Sequence, residues 1–193
     1  MASRSRQDSS PPLLALSPDP LLLGWALATL KTSSSIDIER GPETVFDFII
    51  HVDSPAKTFR GYGPIPAVER TEVVGGGPLV EGALCRITSN DGSAAERLIT
   101  VVERPTRHAY KLQGSFRAPI SYLVKSGAGE WRFAPVGSGT RVVWEFAFEL
   151  TGLWAWPMAY LLMTLTFRRA MRDCLALTKQ CLEEPLPQPA GQH

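Results

Sequence analysis

Neither sign of charge prevails in this chain: 20 Lys and Arg stand against 19 Asp and Glu, a net charge of +1. A protein held on nucleic acid by neutralising phosphates needs a basic surplus or a basic stripe. The densest basic group, Arg168, Arg169 and Arg172, is too short for that, so no nucleic-acid partner is expected. Cysteine is scarce as well. Cys85, Cys174 and Cys181 are odd in number and widely spaced, which makes no disulfide framework. With no CxxC and no His-rich tract, no metal site is expected either. Cys174 and Cys181 lie two turns apart on one helix face and read as small apolar packing residues in a reducing compartment, which places the chain in the cytoplasm.

Long uninterrupted apolar runs are also few. Leu21 to Leu30 is shorter than the roughly 18–20 residues that a spanning helix needs. Arg4 and Arg6 precede it, and Ala26-Leu27-Ala28 faintly resembles a signal-peptidase site, but Pro18, Asp19 and Pro20 interrupt a secretory h-region. Leu150 to Phe167 carries no charge and does reach spanning length, yet Gly152 and Pro157 break its first third and an amphipathic stretch continues from Arg168. It reads either as a buried helix covering a cavity or as a peripheral membrane contact.

What remains is a chain of 193 residues, 44% hydrophobic and 20% charged, room for one ordinary domain. The Ser/Pro-rich residues 1–31 read as a flexible tail with at most one short helix, 32–184 as the domain, and 185–193 as a disordered tail. Ser34 to Glu39 alternates as a strand, and Pro42 to about Val52 is a short amphipathic helix opened by Pro42 and Glu43. A second helical turn runs to about Phe59, before the loop Gly61–Pro66. Period-two patterning then marks strands at 67–74, 82–89, 95–103, 108–114, 120–133 and 140–149, joined mainly by hairpin turns such as Asn90-Asp91-Gly92-Ser93. Gly127-Ala128-Gly129 suggests a bulge or bend. A final helix, about Pro157 to Leu182, carries the apolar stripe Phe167, Ala170, Met171, Cys174, Leu177 and Cys181. The expected fold is α+β: a curved antiparallel sheet around a long C-terminal helix, with two short helices after the first strand and a gap suited to a ligand.

Four segments in this order carry a resemblance: Ile36-Asp37-Ile38-Glu39-Arg40-Gly41-Pro42-Glu43-Thr44-Val45-Phe46, Val73-Val74-Gly75-Gly76-Gly77-Pro78, Glu103-Arg104-Pro105-Thr106-Arg107-His108, and Gly139-Thr140-Arg141-Val142-Val143-Trp144. With the long helix last, they resemble the polyketide cyclase/dehydrase group of the START-like (SRPBCC) superfamily, which includes the birch-pollen allergen fold. The resemblance covers about Ser34 to Glu183 and implies a helix-grip fold. It also implies a hydrophobic small-molecule ligand such as a lipid, quinone or polyketide. Only some members of that superfamily are cyclases or dehydratases, and they share no catalytic residue, so a carrier and a cyclase both stay open. The loop Phe59-Arg60-Gly61-Tyr62-Gly63-Pro64 departs from the aromatic-Pro-rich loop often seen there.

Candidate ligand contacts are the residues that would line the sheet's inner face or the helix opposite it. Trp131, Phe133, Trp144, Phe146 and Phe148 alternate along strands, and Met163 and Phe167 belong to the final helix. Tyr110 and Tyr122 each offer a hydroxyl to a ligand carbonyl. Arg86 and Arg97, on neighbouring strands, would clamp a carboxylate or enolate if they face inward, and Glu96 must then oppose Arg97. His51 reads as a helix-end residue and His108 as a surface residue after a turn, each also weighed as a general base. No complete acid/base set emerges. Gly75-Gly76-Gly77 lacks the Lys-Ser/Thr of a phosphate loop, so no nucleotide cofactor is expected.

Overall fold

The computed structural model describes residues 29–114 and 118–184. Most of the expected N-terminal tail, with its Ala26-Leu27-Ala28 site, and the C-terminal tail lie outside the described residues. Seven strands run in chain order as β1 (Thr29–Ile38), β2 (Val68–Val73), β3 (Leu84–Ser89), β4 (Ala94–Glu103), β5 (Arg107–Gly114), β6 (Val124–Val136) and β7 (Gly139–Leu150). They form one antiparallel sheet in the order β1-β7-β6-β5-β4-β3-β2. Strands β2 to β7 follow one another as neighbours, and only β1 crosses over, to pair with β7 at the far edge.

Two short helices, α1 (Pro42–Ile50) and α2 (Ser54–Thr58), follow β1 as expected. Pro42 opens α1, where its missing N–H costs nothing, and Val45, Phe46 and Ile49 are its buried face. The Arg104 guanidinium grips the Asp47 carboxylate through two bonds of 2.8 and 2.9 Å, tying α1 to the β4–β5 turn.

The closing helix is one run of three parts: α4 (Trp156–Leu162), a π-helical turn (Met163–Phe167) and α5 (Arg168–Glu183). Its end is fastened to β1. Lys179 Nζ donates to the Asp37 carbonyl at 2.7 Å, and the Glu183 carboxylate accepts the Glu39 N–H at 2.6 Å. The buried face of α5 includes Ala170, Met171, Cys174 and Leu175. Cys181, expected on that face, is exposed, because near the helix end the covered side passes through Thr178 and Leu182.

Three further expectations change. The first strand begins five residues earlier, at Thr29, and takes in the end of the expected tail. Residues 120–123 are a helical turn, α3 (Ile120–Leu123), and not the start of a strand. The glycines 127 and 129 mark no bulge, since the irregular register of β6 lies between Val124 and Ser126. They are small for another reason. A Cβ on Gly129 would stand 2.3 Å from Tyr110 Cζ, and one on Gly127 would stand 2.5 Å from Phe146 Cε1. Two large rings lie flat across β6 where it has no side chains.

Candidate functional site

The sheet turns its inner face toward α2 and the closing helix, and cross-strand rows pave it. His108, Trp131, Trp144 and Ser34 stand in one row across β5, β6, β7 and β1, and Tyr110, Gly129, Phe146 and Thr32 in the next. Trp131 and Trp144 stack at 4.4 Å with rings 11° from parallel. Phe167 reaches down from the π-helical turn to Phe146 and Phe148, at 4.9 and 4.8 Å between centroids. Between sheet and helices a cavity of about 180 Å³ remains.

Eight of the sequence candidates line it: Arg97, Tyr110, Trp131, Trp144, Phe146, Phe148, Met163 and Phe167. Three do not. Arg86 is exposed on the outer face, paired in register with Glu96, so the alternation that turns Arg97 inward turns Arg86 out. Tyr122 sits on α3 and is 66% exposed, because residues 120–123 are helical. Phe133 is buried, but packs edge-on against Phe46 of α1 at 5.2 Å, beyond the cavity.

Among the apolar walls is one polar corner. Arg97 is only 7% exposed, and its Nε is buried without a hydrogen-bond partner. Its guanidinium carbon lies 5.4 Å from the centre of the Tyr110 ring, a cation–π contact. No carboxylate among the described residues forms an ion pair with it. Tyr110 is buried, which pushes its hydroxyl up to about 12 against the opposing pull of the Arg97 charge. The Nε1 of Trp144 is likewise buried without a partner.

His108 completes the corner and is the residue that sequence reasoning placed wrongly. It is 2% exposed, not on the surface. Burial and then the Arg97 charge push its pKa down from 6.5 to about 4. Its Nδ1 lies 3.1 Å from the Val101 carbonyl, an oxygen that can only accept, so Nδ1 carries the hydrogen and Nε2 keeps its lone pair. The clue was available: on β5, His108 shares a face with Tyr110 by alternation. His51, by contrast, ends α1 with an exposed side chain.

Other lining groups come from positions with no distinctive pattern. Ile87, Ser89, Ala95 and Leu112 reach in from the sheet, and Ser54, Thr58, Phe59 and Thr178 from the helical side. Cys174 also lines the cavity, and burial pushes its thiol up to about 11, so it is no nucleophile at neutral pH. No group of His, Cys, Asp and Glu among the described residues is arranged to hold a metal ion.

Three solved structures share this architecture. Ara h 8.0201 is 16% identical with a TM-score of 0.56, the match covering 81% of this chain and 99% of that one. A major latex-like protein from Panax ginseng is 14% identical with a TM-score of 0.61, covering 81% and 99%. The di-domain ARO/CYC BexL of the BE-7585A biosynthetic pathway is 18% identical with a TM-score of 0.59, and this chain spans 52% of its length. At these identities the likeness is one of fold. No curated protein matches the sequence. The family model for polyketide cyclase / dehydrase and lipid transport matches residues 29–183, from the first residue of β1 to the last of α5, and with the helix-grip cavity in place the chain belongs to that family.

Proposed function

We propose that this protein binds a small, largely apolar molecule in the cavity between sheet and closing helix. The observation that carries the reading is a preformed cavity walled by Trp131, Trp144, Phe146, Phe148, Met163 and Phe167, with Arg97, His108 and Tyr110 among its polar lining groups. A dry cavity of about 150 Å³ is enough to admit benzene. At about 180 Å³, this one suits a body of one or two rings, and a diacyl lipid or a long poly-ketone chain would have to force it open.

A cyclase-type enzyme is the weaker reading. His108 and Arg97 could serve as base and oxyanion donor, but a base held near 4 is poorly matched to proton abstraction at neutral pH.

Calorimetric titration with 1-naphthalenemethanol, a neutral two-ring probe, tests the binding reading. One-to-one binding is expected, competed by any molecule that native mass spectrometry finds carried through purification. If neither this probe nor its charged analogues bind, the cavity is ordinary packing space and the reading fails.

A second reading, contact with a membrane surface, rests on a different observation. Leu153 and Trp154 in the turn Leu153–Ala155, and Met158, Leu161 and Leu165 on the closing helix, are each more than half exposed. The stripe leads into exposed Arg168 and Arg172, which pair with no carboxylate among the described residues. Apolar and aromatic groups followed by free arginines complement the acyl and phosphate layers of an anionic bilayer surface. No helix among the described residues is long and apolar enough to cross a membrane, so the contact would be peripheral.

A further inference from the structure

An arginine does not lose its proton inside a protein, so Arg97 keeps a full positive charge in an apolar cavity. Such a charge is costly unless something of opposite sign meets it. Nothing of opposite sign does so among the described residues: the recorded ion pairs leave Arg97 out, and its Nε is buried with no acceptor. The Tyr110 ring gives it one soft contact, weaker than a carboxylate would supply. His108, also facing the cavity, stays neutral and presents no competing cation. Among the described residues, Asp91 is the one acid that lines the cavity, and its Oδ1 accepts from the Ser93 N–H and hydroxyl at 2.9 and 2.6 Å.

The arginine is not there for folding. Its neighbours in register, Cys85 on β3 and Leu112 on β5, are apolar, and a methionine would fill the same space with no charge to bury. A buried cation kept at a stability cost, aimed into a cavity of ligand size, needs a ligand that completes it.

Resting on the cavity-binding reading, we propose that the ligand is an amphipathic monocarboxylate whose acid group is held by Arg97. The carboxylate takes two guanidinium N–H bonds in the fork geometry that the pairing favours. The ligand's body, one or two rings or a compact branched chain, lies against the stacked Trp131 and Trp144. This is binding only; no bond is made or broken.

Calorimetry of 1-naphthoate against 1-naphthalenemethanol tests the charge while holding the ring body constant. Naphthoate should bind the wild-type protein at least tenfold more tightly than the alcohol. Arg97→Met should erase that preference, and Arg97→Lys should restore part of it. The ligand-free Arg97→Met protein should melt at or above the wild-type temperature, as expected when an unpaired buried charge is removed.

If the alcohol binds the wild-type protein as tightly as naphthoate, the carboxylate assignment is overturned and the cavity reading stands. If neither binds, the cavity reading falls and the assignment with it. Should Arg97→Met fail to fold, the comparison on the wild-type protein alone decides, and the folding role denied above would have to be granted.

Discussion

Gly129 does not line the cavity, but its missing side chain makes room for the Tyr110 ring that does. Tyr110 and Phe146 stand in register on either side of it, their rings 6.3 Å apart across the strand. Adding a Cβ there drives it into the buried Tyr110 ring, which would have to shift. Gly129→Ala should therefore cost about 1–3 kcal/mol, a fall of several degrees in Tm. Gly41→Ala, whose Cβ meets nothing nearer than 3.8 Å, should leave Tm within about a degree or two. Equal melting of the two variants would show that Tyr110 does not depend on the gap. From sequence, Gly129 looked like a bend, because glycine in a strand has several causes and the partner ring lies on another strand. Arg97 and Arg86 posed a similar difficulty: each alternates, but only the pairing of β3 with β4 shows which alternation faces the core.

At the scale of elements, the sequence was most legible where one face is fully covered. Val142, Trp144, Phe146 and Phe148 on β7 are all buried and alternate with less buried neighbours, the period-two signature of a one-sided sheet. It was least legible where segments lie at a boundary. Residues 120–123 form a single helical turn beside 115–117, too short for any helical period to show. The uncharged stretch 150–167 admitted both a cavity cover and a membrane contact, and in the structure some of its residues line the cavity while others are exposed. Met163 and Phe167 face the cavity, while Trp154, Met158, Leu161 and Leu165 face outward. The wider π-helical turn carries Met163 and Phe167 inward and Leu165 outward, with Thr166 Oγ1 donating to the Leu162 carbonyl at 2.6 Å. If the outer side meets bilayers, the protein should sediment with vesicles of phosphatidylcholine and phosphatidylserine, and less with phosphatidylcholine alone. Replacing Trp154 and Leu165 by Glu should cut binding roughly tenfold or more per residue while leaving naphthoate affinity unchanged. Partitioning that ignores both substitutions, or none at all, would remove the membrane reading without touching the cavity.

Across the described residues, paired carboxylates lie on the outer face, while His108 is buried against the cavity. Across the outer face, Glu130 meets Arg107 and Arg132 at 2.9 Å, and Asp37 meets Arg141 at 2.8 and 2.7 Å. Burial nudges Glu130 upward, but the two arginines hold it below its ordinary value, and Arg141 does the same for Asp37. Exposed pairs of this kind contribute little each, and their loss on protonation belongs to strongly acidic solution. His108 acts in a different window. Its folded-state pKa is depressed, so the unfolded chain takes up the proton first. Stability from a neutral His108 is therefore whole above 6.5 and drains away as pH falls toward about 4. At about 1.36 kcal/mol per pKa unit, that span is worth on the order of 3 kcal/mol. Denaturant unfolding at a series of pH values should show wild-type stability falling between pH 6.5 and 4, and His108→Gln should flatten that slope. A slope that survives His108→Gln would mean that the ring is hydrated in the folded state, and the polar corner would then be an open, wet mouth, not a closed end for an acid group.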